Sequence, residues 1–273
     1  DLAEFLGLIE SQGVTRVAAV PPIVLALAKH PMIADYDLSS LIQVGSGAAP
    51  LSAEVERAAA ERTGAEIIQG FGLTETSPVT HTALPGEARS GSIGVLIPNT
   101  EARLVDPQTG EDVDVGSSGE LWLRGPQVMK GYLNQPDATT ATIDTDGWLQ
   151  TGDMGHLDAD DHWYITDRIK ELIKYKGFQV APAELESILL THPLIVDAAV
   201  IAVSDEEAGE VPKAFVVVQP GEILAADDVI DHVAGRVASY KRVRAVEFID
   251  EIPKSLSGKI LRRVLRDRED ADV

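Results

Sequence analysis

Apolar positions in residues 1–70 switch between helical and extended spacing. Leu2, Phe5, Leu6 and Ile9 recur at the interval of one helix face, so the chain is expected to open already inside a helix. Ser52 stands before Val55, Ala58, Ala59 and Arg62, a capping residue followed by a second helical stripe. Leu41 to Val44 and Ala65 to Ile68 are short apolar runs that predict buried strands. Helices alternating with strands predict an α/β fold, here the last part of a parallel or mixed sheet.

The texture changes over residues 91–135. Glu101 to Val105, the turn Asp106-Pro107-Gln108-Thr109-Gly110, and Glu120 to Arg124 predict antiparallel hairpins. It changes again near Asp167. The spacing there predicts a helix over 182–191, strands near 195–203 and 213–219, a helix over 226–237, a strand over 244–249 and a helix over 257–268. A stretch of that size predicts a small α+β domain, 167–273, after a larger one, 1–166.

Composition narrows the picture. The 273 residues carry 23 basic and 44 acidic side chains, a net charge of −21, which argues against nucleic acid as the main partner. With 44% hydrophobic residues the chain can bury a core. It has no cysteine, which excludes disulfides, thiolate metal sites and cysteine nucleophiles and fits a cytoplasmic setting. The longest apolar runs, such as Val17 to Leu27, are too short for a membrane span and contain Pro21 and Pro22. Charge is unevenly shared. Residues 1–166 hold 8 basic and 24 acidic residues, and residues 167–273 hold 15 and 20.

Generic motifs are missing: no G-x-x-x-x-G-K-[ST], no G-x-G-x-x-G opening a helix, no HExxH and no G-x-S-x-G elbow. Four other segments remain. Gln69-Gly70-Phe71-Gly72-Leu73-Thr74-Glu75 follows a strand. Its glycines permit close backbone approach to a ligand, and its hydroxyl and carboxylate suit a phosphate oxygen and Mg²⁺. A glycine turn capped by Thr74 explains the same residues equally well. Gly147-Trp148-Leu149-Gln150-Thr151-Gly152-Asp153 places an acid after a turn. Asp153 there suits vicinal hydroxyls, or simply its own backbone. Asp167 to Val180 packs Arg168, Lys170, Lys174 and Lys176 among Ile169, Leu172, Ile173 and Phe178, so this charged run is expected to be partly strand. Pro253-Lys254-Ser255-Leu256-Ser257-Gly258-Lys259 precedes an expected helix from Ile260 to Asp267. Lys259 is a flexible point charge suited to a phosphate or carboxylate, or else an ordinary surface lysine.

Together these segments resemble the later motifs of the adenylate-forming enzymes: acyl-CoA ligases, luciferases and peptide-synthetase adenylation domains. Val20-Pro21-Pro22-Ile23-Val24-Leu25-Ala26-Leu27-Ala28-Lys29, Asp35-Tyr36-Asp37-Leu38-Ser39-Ser40-Leu41, Gly45-Ser46-Gly47-Ala48-Ala49-Pro50-Leu51 and Lys174 to Glu184 resemble 4-coumarate–CoA ligases in particular. The resemblance implies the end of a large adenylate-forming domain with a β-rich subdomain, then a small mobile domain hinged near Asp167–Lys170. It implies that a carboxylic acid, ATP, Mg²⁺ and coenzyme A meet here and that the acid is adenylated before the thiol displaces AMP. Carried over by position, Lys259 is the adenylation lysine, Thr74 contacts phosphate and Glu75 holds the metal. Ala48, Gln69 and Gly70 line the adenylate site, and Asp153 binds ribose with Arg168 beside it. Lys170 marks the hinge, and Lys174 and Gln179 serve thioester formation. Lys176 and Gly177 border a coenzyme A channel, and Gly47, Gly72, Pro78 and Val79 wall the acyl pocket. Phe71 and Thr82 depart from the usual tyrosine and methionine. The family's glycine-rich phosphate loop is not in the chain, so an upstream part of the same enzyme is expected as its partner. An aliphatic-acid ligase or luciferase-like enzyme, and a non-catalytic nucleotide- or acyl-binding module, are the alternatives.

Overall fold

Helix α1 (Leu2–Gln12) begins where Asp1 accepts a 2.8 Å hydrogen bond from the Ala3 amide. The Asp1 carboxylate satisfies one of the first-turn amides of this helix, whose Leu6 and Ile9 are buried as the apolar spacing predicts. The computed structural model describes residues 1–255 and 258–271 and falls into two units, Asp1–Ile165 and Thr166–Val273.

In the first unit, β1 (Arg16–Ala19), β2 (Gln43–Ser46) and β3 (Glu66–Gly72) run parallel, and β4 (Val79–Thr82) and β5 (Val95–Leu96) continue the sheet antiparallel. Helices α1, α2 (Pro21–Lys29) and α3 (Ala53–Thr63) pack over it. Leu6, Ile9, Val24, Leu27, Val55 and Ala59 meet Val44 and Ile67 of the strands in one buried cluster. Pro21 and Pro22 start α2, where missing amide protons cost nothing. Ser52 caps α3 through the Val55 amide, as its spacing predicts. The expected strand from Leu41 is displaced to Gln43, because Leu41 is held in a turn on the Leu38 carbonyl.

A second, antiparallel sheet follows: β6 (Glu101–Val105), β7 (Gly119–Arg124), β8 (Leu149–Leu157) and β9 (Trp163–Arg168), with α4 (Pro136–Thr142) between β7 and β8. Leu104, Leu121, Leu123 and Trp163 form its core, and Phe71 of β3 packs against them.

The second unit is built on β10 (Ile173–Tyr175), β11 (Phe178–Val180), β12 (Ile195–Asp205), β13 (Gly209–Val218) and β14 (Ala245–Phe248). Successive residues of β12 point to opposite faces. Ala198 and Val200 pack with Leu185 and Leu189 of α5 (Pro182–Leu190) and Val229 and Val233 of α6 (Ala226–Ala234). Ala199 and Ile201 pack with Leu265 of α7 (Arg262–Ala271). Helix α7 starts at Arg262, later than the spacing predicts. Lys254 and Ile260 pair as an antiparallel bridge, and the Leu261 amide bonds the Pro253 carbonyl, so the chain is still extended there. Among the described residues no helix is long and apolar enough to cross a membrane.

Candidate active site

Strands β2 and β3 are parallel with Ser46 opposite Gln69, so both leave the sheet at the same edge. In open α/β sheets that edge is where ligands bind. Gly47 and Ala48 follow β2, and Gly70 and Gly72 end β3. Gly47 lies close to the Gly70 carbonyl; a Cβ there would sit 3.7 Å from it. Beyond Gly72 a single 3-10 turn, Thr74–Thr76, exposes Thr74 and half-buries Glu75. The fully buried Thr76 braces it: its Oγ1 accepts from the Leu73 amide at 2.9 Å and lies 2.9 Å from the Pro78 carbonyl. The Ser77–Pro78 bond is cis, and Pro78 and Val79 then stand exposed at the start of β4.

Sequence reading missed the partner of Glu75. The Tyr132 hydroxyl donates to Glu75 Oε1 at 2.7 Å, and the Met129 amide donates to the Glu75 carbonyl at 2.8 Å. Hydrogen bonding to Glu75 raises the Tyr132 pKa, since the protonated phenol is the donor. Nothing in the sequence placed Tyr132, 57 positions away, beside its acceptor. No cluster of three metal-ligating side chains occurs among the described residues. A single carboxylate with one engaged oxygen suits Mg²⁺, which keeps its waters and binds mainly through phosphate oxygens.

Gln69 and Asp153 are both more enclosed than the sequence suggests. Gln69 is buried on the helix-covered face, and its Nε2 donates to Glu56 Oε2 at 2.7 Å. Burial pushes the Glu56 carboxyl up. Asp153 sits within β8 and is buried, its amide bonded to Thr151 Oγ1 at 3.1 Å.

The remaining predicted residues belong to the second unit. Arg168 ends β9, and Lys170 lies in the 3-10 turn Ile169–Glu171. Strands β10 and β11 form a hairpin, confirming that the charged run is partly strand. Lys174 and Gln179 are direct cross-strand partners in it, so both side chains project from one face. Lys176 and Gly177 form its two-residue turn with φ of 47° and 85°. Lys259 is exposed beside the Lys254–Ile260 bridge, in a turn rather than at a helix start. Leu256 and Ser257 of the same segment lie outside the described residues.

The chain belongs to the AMP-binding enzyme family: residues 1–133 match AMP-binding enzymes, and residues 184–259 match the AMP-binding enzyme C-terminal domain. It is 54% identical over 272 residues to 4-coumarate–CoA ligase 2 of Nicotiana tabacum, covering 97% of this chain and 50% of that one. It is 52% identical over 279 residues to 4-coumarate:CoA ligase 1 of Petunia hybrida, covering 100% of this chain and 51% of the relative. The fold is similar to the crystal structure of an anthranilate CoA ligase in complex with anthranoyl-AMP, with a TM-score of 0.91 at 32% identity. That likeness covers 100% of this chain and 53% of the ligase. The chain thus spans about half the length of the relatives it matches.

Proposed function

We propose that this chain supplies the adenylate-site and C-terminal-domain residues of an ATP-dependent acid–CoA ligase acting on 4-coumarate or a related cinnamic acid. The observation that carries the reading is whole-chain likeness, at 51–54% identity, to 4-coumarate–CoA ligases.

A carboxylate has no good leaving group, so the reaction runs in two steps. One carboxylate oxygen bonds to the α-phosphorus of ATP as the bond to pyrophosphate breaks, leaving an acyl-adenylate. The coenzyme A sulfur then bonds to the acyl carbon and AMP leaves. Lys259 stabilises the charge between carboxylate and α-phosphate in the first step. Thr74 holds a phosphate oxygen, and Glu75, steadied by Tyr132, contributes the carboxylate for Mg²⁺. When bound, the metal neutralises phosphate charge. Ala48, Gln69 and Gly70 border the adenylate, Asp153 takes the ribose hydroxyls and Arg168 stands beside it. Gly47, Gly72, Pro78 and Val79 wall the acid pocket. In the second step Lys174 and Gln179 face the adenylate, while Lys176 and Gly177 border the thiol's channel. Lys170 is the hinge between two poses of a mobile residue 167–273 domain. Cytoplasmic placement belongs to the same proposal.

Lys259→Ala in the full-length protein tests the reading. Acyl-adenylate formation should fall at least 100-fold while thioester formation from supplied adenylate persists. Equal loss in both steps would refute it. Supplying 4-coumarate and hexanoate in parallel tests the acid; preference for hexanoate would remove the cinnamate assignment.

A further inference from the structure

Lys259 is carried on a segment whose two ends are fastened separately. Before it, Lys254 Nζ donates to Asp197 Oδ2 at 2.6 Å. Asp197 sits at an irregularity in β12, and its other oxygen accepts from the Ala198 amide at 3.0 Å. After it, Arg262 Nη2 reaches both Glu186 oxygens at 2.7 and 2.8 Å, and Arg262 Nε donates to the Val200 carbonyl at 3.2 Å. Glu186 Oε1 also accepts from the Val200 amide at 2.8 Å. Both pairs are largely enclosed, with side-chain exposures of 22% and 24% for the first and 16% and 10% for the second.

Between these ends the backbone closes on itself. Lys254 and Ile260 form an antiparallel bridge, the Ser255 amide donates to the Lys259 carbonyl at 2.9 Å, and the Lys259 amide donates to Ser255 Oγ at 3.1 Å. Lys259 itself is exposed to solvent. Two of the three cations from Lys254 to Arg262 that bracket this turn are thus committed to the β12 and α5 scaffold, and the third is displayed.

We propose that Lys254–Asp197 and Arg262–Glu186 are positioning pairs for Lys259. They fix its Cα relative to β12 and α5, so that only side-chain torsions remain to be ordered when it meets the carboxylate and α-phosphate. A backbone free to shift by about 1 Å would cost on the order of 100-fold in rate. The inference rests on the adenylation reading of Lys259. It adds that four residues touching no substrate govern the first step.

The experiment compares Asp197→Asn, Lys254→Met, Arg262→Lys and Lys259→Ala in the full-length protein. Pyrophosphate exchange reads the first step, coenzyme A consumption from supplied acyl-adenylate reads the second, and thermal unfolding is recorded beside them. Asp197→Asn and Lys254→Met should slow the first step about tenfold or more, through kcat with little change in KM for ATP, and spare the second. Arg262→Lys keeps the charge but loses the two-pronged bond, so it should fall between them and the parent. Equal loss in both steps, or loss in neither, overturns the positioning role. An intact first step in Lys259→Ala would instead overturn the reading of Lys259. Hydrogen exchange on the same full-length variants gives a second readout. In Asp197→Asn the Ser255 and Lys259 amides should exchange faster while β12 stays protected. Unchanged exchange at both amides would also overturn the inference.

Discussion

The Tyr132 hydroxyl holds Oε1 of Glu75 at 2.7 Å, joining the loop after β7 to the turn after β3. The loop is itself fixed, since the Tyr132 amide donates to Thr139 Oγ1 at 2.9 Å at the start of α4. A hydrogen bond to a charged acceptor contributes about 1.5–3 kcal/mol. Its loss frees the carboxylate to leave the rotamer that would face a metal. Tyr132→Phe is therefore expected to raise the Mg²⁺ concentration needed for half-maximal adenylation by about tenfold, with less effect on thioester formation. A Mg²⁺ titration of pyrophosphate exchange checks it, and Mn²⁺ binding followed by electron paramagnetic resonance gives a readout independent of turnover. An unshifted titration would show that Tyr132 only packs.

His81 ties the pH dependence of stability to the first unit. The ring is fully buried between Phe71 and Trp163, with centroids at 5.9 and 5.3 Å. Thr80 Oγ1 lies 3.3 Å from the Phe71 carbonyl, to which it donates, and 2.9 Å from His81 Nδ1. That arrangement fits a proton on Nδ1, and Nε2 has no hydrogen bond among the described residues. Burial lowers the His81 pKa to about 3. The unfolded chain takes up its proton near 6.5, the folded one only near 3. Stability supplied by the neutral ring is thus fully present above 6.5 and falls as the pH drops toward 3, by on the order of 4 kcal/mol. His81→Leu should flatten that fall, measured by denaturant unfolding at several pH values. An equally steep decline in the variant would assign the loss to other groups.

What the sequence disclosed was local. The apolar alternation of Glu101 to Val105 and the Ser52 cap yielded elements with the observed bounds, because neighbours in sequence decide them. The helix expected over 257–268 begins only at Arg262, because Ile260 is engaged in a bridge with Lys254 just before it. The site was legible as residue types but not as contacts. Tyr132 meets Glu75 across 57 positions and Arg262 meets Glu186 across 76, and no periodicity encodes such pairs. One signal did exist for Glu186. It falls on the same α5 face as Pro182, Leu185 and Leu189, and an acid on an apolar face must be paired.

The Lys176–Gly177 turn separates folding from function in the β10–β11 hairpin. With positive φ at both central residues it is of type I′, the twist-matched connection for two antiparallel strands. Glycine suits the second position for that reason alone. A Cβ on Gly177 would meet nothing within 4 Å, so Gly177→Ala should cost only backbone strain, about 1 kcal/mol. A bulkier residue there should slow the coenzyme A step while pyrophosphate exchange persists, if the turn borders the thiol's channel. Lys176→Gly relieves a strained lysine while losing an exposed pair to Glu207, so its melting temperature should hold or rise. A fall of several degrees would mean that the ion pair matters more than the strain.

Gly47, Gly70 and Gly72 grade the tightness of the edge where the acid is proposed to bind. A Cβ on Gly72 would lie 1.6 Å from the Pro78 carbonyl oxygen, which is backbone and cannot move aside. On Gly70 the nearest atom would be the His81 carbonyl oxygen at 3.2 Å, and on Gly47 the Gly70 carbonyl oxygen at 3.7 Å. Gly72→Ala should therefore destabilise the first unit by about 3 kcal/mol or more, Gly70→Ala by less, and Gly47→Ala hardly at all. Only Gly47→Ala can report on the pocket without disturbing the turn that carries Thr74 and Glu75. If Gly47 walls the acid pocket, its alanine variant should keep its unfolding midpoint and discriminate more strongly against ring-substituted cinnamates, read as kcat/KM for each acid. An unchanged ratio among acids, with the midpoint also unchanged, would remove Gly47 from the pocket and leave its place to Pro78 and Val79.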